Sequence, residues 1–169
     1  MRYLRRARLS DLECCLEIIN DARAALATSG TGQWQGLYPA RENLEEFIKN
    51  EVAYVFFIDD EIVAFSALIQ GEDKAYTEIK EGSWSNESLD YLAIHCLAIL
   101  EKYRGQGLMT AMFSNIFSLC LEKGIRDIRI DTHPQNQAML SVIKREGFVY
   151  CGKVWIDGER VAFQLELNK

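Results

Sequence analysis

The residues best suited to chemistry lie in the stretch YRGQGLMTAMF, Tyr103 to Phe113, and at two histidines. Gly105 and Gly107 stand directly before a run whose apolar residues return at three and four. Glycine is costly inside a helix and useful where backbone must pass close to something. A helix start carries N–H donors with no intrahelical acceptor, at the positive end of the helix dipole. Strand, glycine turn and helix in that order can therefore cradle a phosphate, and can equally be an ordinary strand-to-helix turn. Two familiar cradles are excluded. No Lys-Ser or Lys-Thr follows the glycines, as a P-loop requires, and Thr110 stands where a dinucleotide fingerprint needs its third small residue. His95 and His133 are the only histidines, and an imidazole titrates near neutral pH unaided. His95 shares a strand face with Leu97 and Ile99, where it is either a base or a hydrogen-bonded core residue. His133, in DTHPQN, ends a later strand just ahead of Asn136.

The elements that must hold these residues follow from the pattern. Arg2 to Ala7 reads as a first strand, and Ser10 with Glu13 as a capping box opening a helix to about Leu26. Thr28 to Arg41 is a loop rich in glycine and closed by Pro39, and Glu42 to Asn50 a short helix. Val52–Ile58 and Ile62–Gln70 form a hairpin, followed by a polar connection from Gly71 to Ser88. Leu89–Leu100 is apolar on both faces, as a central strand should be. Beyond it come a helix to Lys123, a strand Ile125–Thr132, a helix Gln135–Glu146 and a pair Phe148–Ile156 and Arg160–Leu167. A meander followed by β-α-β-α-β predicts a mixed α/β (α+β) sheet, in one domain over residues 1–169.

Composition narrows the function class. A net charge of −6 gives no general basic footprint for nucleic acid or an anionic membrane. No apolar run approaches the ~20 residues that cross a bilayer. The five cysteines are odd in number and lack C-x-x-C spacing, which points to reduced thiols in a cytoplasmic protein and away from a metal site.

The stretch LAILEKYRGQGLMTAMF resembles motif A of the GNAT superfamily of acetyl-CoA-dependent N-acetyltransferases, [QR]-x-x-G-x-[GA], here Arg104, Gly107 and Met109. Downstream, NQAMLSVIKREGF is similar to the family's motif B, N-x(10)-G-F, with Asn136, Gly147 and Phe148. The resemblance implies a GNAT fold, a mostly antiparallel sheet splayed between two central strands with helices on both faces. It implies acetyl-CoA as cosubstrate, with pantetheine along Leu97 and Ile99 and Asn136 bonding its arm. The pyrophosphate would meet the N–H groups of Arg104, Gly105, Gln106, Gly107, Leu108 and Met109, with Thr110 in reach. The family's usual acid, a Tyr four residues before the motif B glycine, is Ile143 here. His95 is then the candidate base, and Trp34, Tyr38 and His133 the candidate acceptor-side residues. The acceptor expected is a primary amine, a small molecule before a protein. The alternative is an acetyl-CoA-binding sensor with little turnover. A homodimer is left open.

Overall fold

The computed structural model describes residues 1–167. Seven strands form one sheet: β1 Arg2–Arg6, β2 Ala53–Ile58, β3 Glu61–Gln70, β4 Tyr91–Ile99, β5 Asp127–Thr132, β6 Val149–Trp155 and β7 Glu159–Glu166, in the order β1-β2-β3-β4-β5-β7-β6. β4 and β5 run parallel, whereas β1–β2, β2–β3, β5–β7 and β6–β7 are antiparallel. The helices are α1 Leu12–Thr28, α2 Arg41–Lys49, α3 Lys74–Thr77, α4 Leu108–Glu122 and α5 Gln137–Arg145. This is the mixed, mostly antiparallel sheet that the sequence predicts. The parallel ladder pairs Tyr91 with Asp127 through Ile94 with Ile130 and then stops, so the backbone from Cys96 to Ile99 lies outside it. That is the splay.

The chain divides into two compact units, residues 1–68 with 96–115, and residues 69–95 with the chain from Ile116 onward. In the first, Cys15, Ile18 and Ile19 of α1 and Leu44 and Ile48 of α2 pack on Val55, Phe57 and Phe65, together with Cys96, Ala98 and Leu100. Each fully buried side chain of this size contributes about 1.5–3 kcal/mol by leaving water. The start of α1 differs from expectation. A short 3-10 turn, Leu9–Asp11, precedes the helix, and Asp11 stands at the N-cap of α1 without a side-chain bond into it. Its carboxylate instead accepts from the Arg8 amide at 2.7 Å and from the Arg5 guanidinium at 2.8 and 3.1 Å, holding the turn that leads into α1.

In the second unit, Tyr76, Tyr91, Ala93, Val154 and Ala162 form a core against Trp84 and Ile156. β5 brings three charged residues, Asp127, Arg129 and Asp131, to alternate positions of a central strand. Arg129 lies buried over the rings of Tyr91 and Trp84 (3.9 and 4.5 Å) and pairs with Asp127 at 2.8 Å. Gln164 donates to Asp127 at 2.8 Å and accepts from the Ser85 amide at 2.8 Å. These bonds fasten the polar connection after β3, which contains α3, a helical turn that hydrophobic periodicity did not reveal.

Candidate functional site

Backbone geometry sets out the first group of candidate residues. Gly105 and Gly107 have φ of +73° and +72°, a left-handed conformation that side chains resist, and a Cβ on either would meet nothing within 4 Å. Gly152 contrasts with them, because a Cβ there would sit 2.7 Å from the Lys80 carbonyl and would break strand packing. The turn glycines therefore face open space and do not serve internal packing. Ala111 N–H donates to the Gly107 carbonyl at 3.2 Å, so the turn glycines lead directly into the first turn of α4, a helix of 15 residues. Arg104, Gly105, Gln106 and Gly107 are exposed, Leu108 is buried, and Met109 is half-buried.

Arg104 is a correction. Its amide donates to the Glu101 carbonyl at 3.0 Å, closing the turn before the glycines, and so is spent. Its side chain instead braces the cradle: Nε donates to the Ile99 carbonyl at 3.1 Å and a terminal nitrogen pairs with Asp21 of α1 at 2.9 Å. Asp21 also accepts from the Glu101 amide at 2.7 Å. The end of β4, the turn and α1 are thus tied by one guanidinium and one carboxylate.

Cys96 is the second departure. Its φ is +53°, a left-handed residue inside a strand, and its thiol lies 3.2 Å from the Tyr38 hydroxyl. A non-glycine residue in that region costs about 1–3 kcal/mol and breaks the two-residue alternation, as a β-bulge does. Position 95 therefore does not share parity with Leu97 and Ile99, and the expectation of one common face fails. Cys96, Ala98 and Leu100 point into the first unit's core, whereas Tyr91 and Ala93 belong to the second unit's core.

His95 sits in a buried polar quartet. Nε2 lies 2.5 Å from Asp73 Oδ2, Nδ1 lies 3.5 Å from Asp131 Oδ1, and Tyr76 packs its ring 5.3 Å away while donating its hydroxyl to Asp131 Oδ1 at 2.7 Å. Burial by itself lowers the His95 pKa, but hydrogen bonds and charge from Asp131 and Asp73 override it and raise the value from 6.5 to about 9. Burial opposes the Asp73 charge too, yet the bond from His95 leaves that carboxyl below its ordinary value. The Tyr76 hydroxyl is pushed well above 10, chiefly by burial. Tyr76 was not singled out from the sequence, because the polar connection carries no periodic signal. Asp131 did leave one, since charged residues at alternate positions of a central strand must be paired.

The remaining candidates divide between capping and packing. Asn136 Oδ1 caps α5 by accepting from the Met139 amide at 3.1 Å. The His133 ring accepts from the Gln135 amide at 3.2 Å, and burial lowers its pKa. Trp34 is only 6% exposed and belongs to the first core, where Arg23 pins its loop through the Trp34 and Pro39 carbonyls at 2.9 and 2.6 Å. Its ring is therefore packing, with half-buried Tyr38 at the core's margin. Ile143 is fully buried and apolar, so no acid stands at that position. Among the described residues no group of His, Cys, Asp or Glu is arranged to hold a metal ion, and no helix is long and apolar enough to cross a membrane.

Comparison with known proteins agrees with this geometry. The model of the acetyltransferase (GNAT) family matches residues 19–148. A GNAT-family acetyltransferase from Streptococcus agalactiae is 33% identical, with a TM-score of 0.90 over 99% of this chain and 96% of that one. Two more distant structures share the fold. An aminoglycoside acetyltransferase in complex with coenzyme A is 19% identical (TM-score 0.70, 98% of this chain and 95% of that one). A ribosomal-protein alanine N-acetyltransferase from Escherichia coli is 13% identical (TM-score 0.69, 100% and 96%). No curated protein matches the sequence. With a family model spanning most of its length and a close structural relative over nearly all of it, this chain belongs to the GNAT family of acetyltransferases.

Proposed function

We propose that the protein is a single-domain N-acetyltransferase that moves the acetyl group of acetyl-CoA to a primary amine by direct attack in a ternary complex. The observation that carries this reading is the left-handed glycine turn, open in front, at the start of a long helix. Amides of Gly105 to Met109 take the pyrophosphate, with Thr110 beside them, and they do so without any side-chain cation. Leu97 and Ile99 present strand backbone to pantetheine. The N–H groups of this segment polarise the thioester carbonyl, an interaction that strengthens as charge develops on the oxygen. Asn136 bonds the pantetheine arm through its side-chain amide. On the acceptor side stand Tyr38, with Trp34 packed as its support, and His133. Proton handling belongs to the His95 centre, since Ile143 has nothing to donate or accept. A small-molecule amine is preferred to a protein, and the acidic balance of the chain suits a cationic acceptor.

The test is release of free thiol from acetyl-CoA against a panel of amines, amino acids and peptides. Thiol release that saturates with one class of primary amine supports the reading. Tight acetyl-CoA binding without release across the whole panel would replace it with a sensor.

A further inference from the structure

The buried face of α1 carries Cys15, Ile18, Ile19 and Ala22. A helix turns by about 100° per residue, so Asp21, three residues after Ile18, stands half-buried on the flank of that face. From there it reaches the segment joining β4 to α4, and every residue concerned lies within the first unit. One oxygen, Asp21 Oδ2, accepts from the Glu101 amide at 2.7 Å and from the Arg104 guanidinium at 2.9 Å. Arg104 Nε donates to the carbonyl of Ile99, the last residue of β4, at 3.1 Å. Within the segment, the Arg104 amide closes on the Glu101 carbonyl and the Gln106 side chain on the Lys102 carbonyl, at 3.0 and 2.9 Å. Glu61 of β3 grips Lys102 and Tyr103 by their side-chain ends, whereas Asp21 grips the backbone itself. The glycine turn follows directly. Glycine has more backbone freedom to lose than any other residue, so a turn built on Gly105 and Gly107 is ordered by what anchors it. A turn left loose must be ordered by the ligand, and that cost is subtracted from affinity.

We propose that Asp21 is a positioning residue for the cosubstrate: through the Glu101 amide and Arg104 it holds the glycine turn in the arrangement that receives the pyrophosphate of coenzyme A. The proposal rests on the cosubstrate half of the reading above and adds the residue that sets its affinity. An acid beside a polyanion's site weakens binding by repulsion unless its charge is matched and its bonds are needed elsewhere. Here the charge is matched by Arg104, and the bonds fix the strand end. Arg104 thereby takes a role other than the one its charge suggests. Its guanidinium works as a brace between the Ile99 carbonyl and Asp21, rather than as the counter-ion of the pyrophosphate. Side-chain chemistry separates the two roles. Glutamine carries its donor nitrogen on Cδ, the atom that bears arginine Nε, so it can reach the Ile99 carbonyl without a charge. Lysine has a methylene at that point and places its charge further out, so it offers a counter-ion and no brace.

The experiment is calorimetry of coenzyme A binding to wild type, Asp21→Ala, Asp21→Asn, Arg104→Gln and Arg104→Lys, with the melt of each as a folding check. Asp21→Ala should weaken binding about 10-fold, the worth of a hydrogen bond to a charged group, although it removes a negative charge near a polyanion. Asp21→Asn keeps a carbonyl oxygen for the Glu101 amide and for Arg104, and should recover most of that loss. Arg104→Gln should bind more tightly than Arg104→Lys. In turnover, Asp21→Ala should raise KM for acetyl-CoA and leave kcat near wild type, a split that general loss of structure would not give. Unchanged or tighter binding by Asp21→Ala, or Asp21→Asn as weak as Asp21→Ala, would overturn the proposal. Arg104→Lys binding more tightly than Arg104→Gln would overturn it too, by making Arg104 a counter-ion. Should Asp21→Ala unfold, the two Arg104 variants decide by the same comparison. Wild type that binds no coenzyme A would refute the cosubstrate reading and this proposal with it. Calorimetry needs no acceptor, so a failure of acetyl transfer alone would appear in the thiol-release panel and not in these affinities.

Discussion

Raising the pH should strip stability from the second unit through one residue. The His95 pKa is raised from 6.5 to about 9 in the folded chain, against the pull of burial, by hydrogen bonds and charge from Asp131 and Asp73. A raised pKa stabilises the fold fully below the unfolded value, near 6.5, and the contribution is lost as pH climbs through the folded value, near 9. At about 1.4 kcal/mol per pH unit, that rise corresponds to about 3 kcal/mol. Solvent screening takes little of this, because the His95 side chain is 9% exposed. Asp73 acts at the other end of the scale. Its lowered pKa gives stability that is present above about 3.8 and lost as acid protonates it. The assay is urea unfolding at fixed pH values from 6 to 10, for wild type and His95→Gln. Subtracting the variant removes the titration of lysines and tyrosines common to both chains. The wild-type advantage should be about 3 kcal/mol larger at pH 6 than at pH 10. A difference that stays flat across this range would show that His95 is not clamped as an imidazolium, and the electrostatic account of the quartet would fail.

Gly107→Val should keep the fold, since a Cβ there meets nothing within 4 Å, while its φ of +72° costs about 1–2 kcal/mol in the urea midpoint. Coenzyme A affinity by calorimetry should drop well beyond that backbone cost, and an unchanged affinity would remove the turn from the site. Arg129→Ala should destabilise by about 3–5 kcal/mol in urea unfolding, because it leaves the buried Asp127 without its cation and Tyr91 and Trp84 without the guanidinium between them. A thiol-reactive dye should label exposed Cys14 first and half-buried Cys151 more slowly. Cys15 and Cys120, pushed by burial to about 12, should react only on unfolding, as should buried Cys96.

Much of this fold was legible because its signals are local. Gly105 and Gly107 before an apolar repeat, and Asn136 with Gly147 and Phe148, mark turn and helix ends within a few residues of themselves. Strand β4 was legible for a related reason, since apolar residues on both faces mean burial on both faces. What escaped depends on residues far apart in the chain. The left-handed backbone at Cys96 cannot be read from a cysteine, and it moved His95 out of register with Leu97 and Ile99. Asp73 and Tyr76 reach His95 across 22 and 19 positions, from a connection whose polarity read as solvated loop. Arg104 looked like a cradle amide because its motif position says so, while the turn before it had already claimed that N–H. Trp34 looked like a loop aromatic free to contact a substrate. Arg23, on the preceding helix, folds that loop inward.

The most direct test of the central claim follows the acetyl carbon itself. Acetyl-CoA labelled with ¹³C at the carbonyl is mixed with the protein and a primary aliphatic amine, and the carbonyl resonance is followed by NMR. The account predicts that the thioester signal is replaced by an amide signal, one for each thiol released, and that Gly107→Val slows the replacement. A thioester signal that persists with every amine tried, or that is replaced by free acetate, would contradict it.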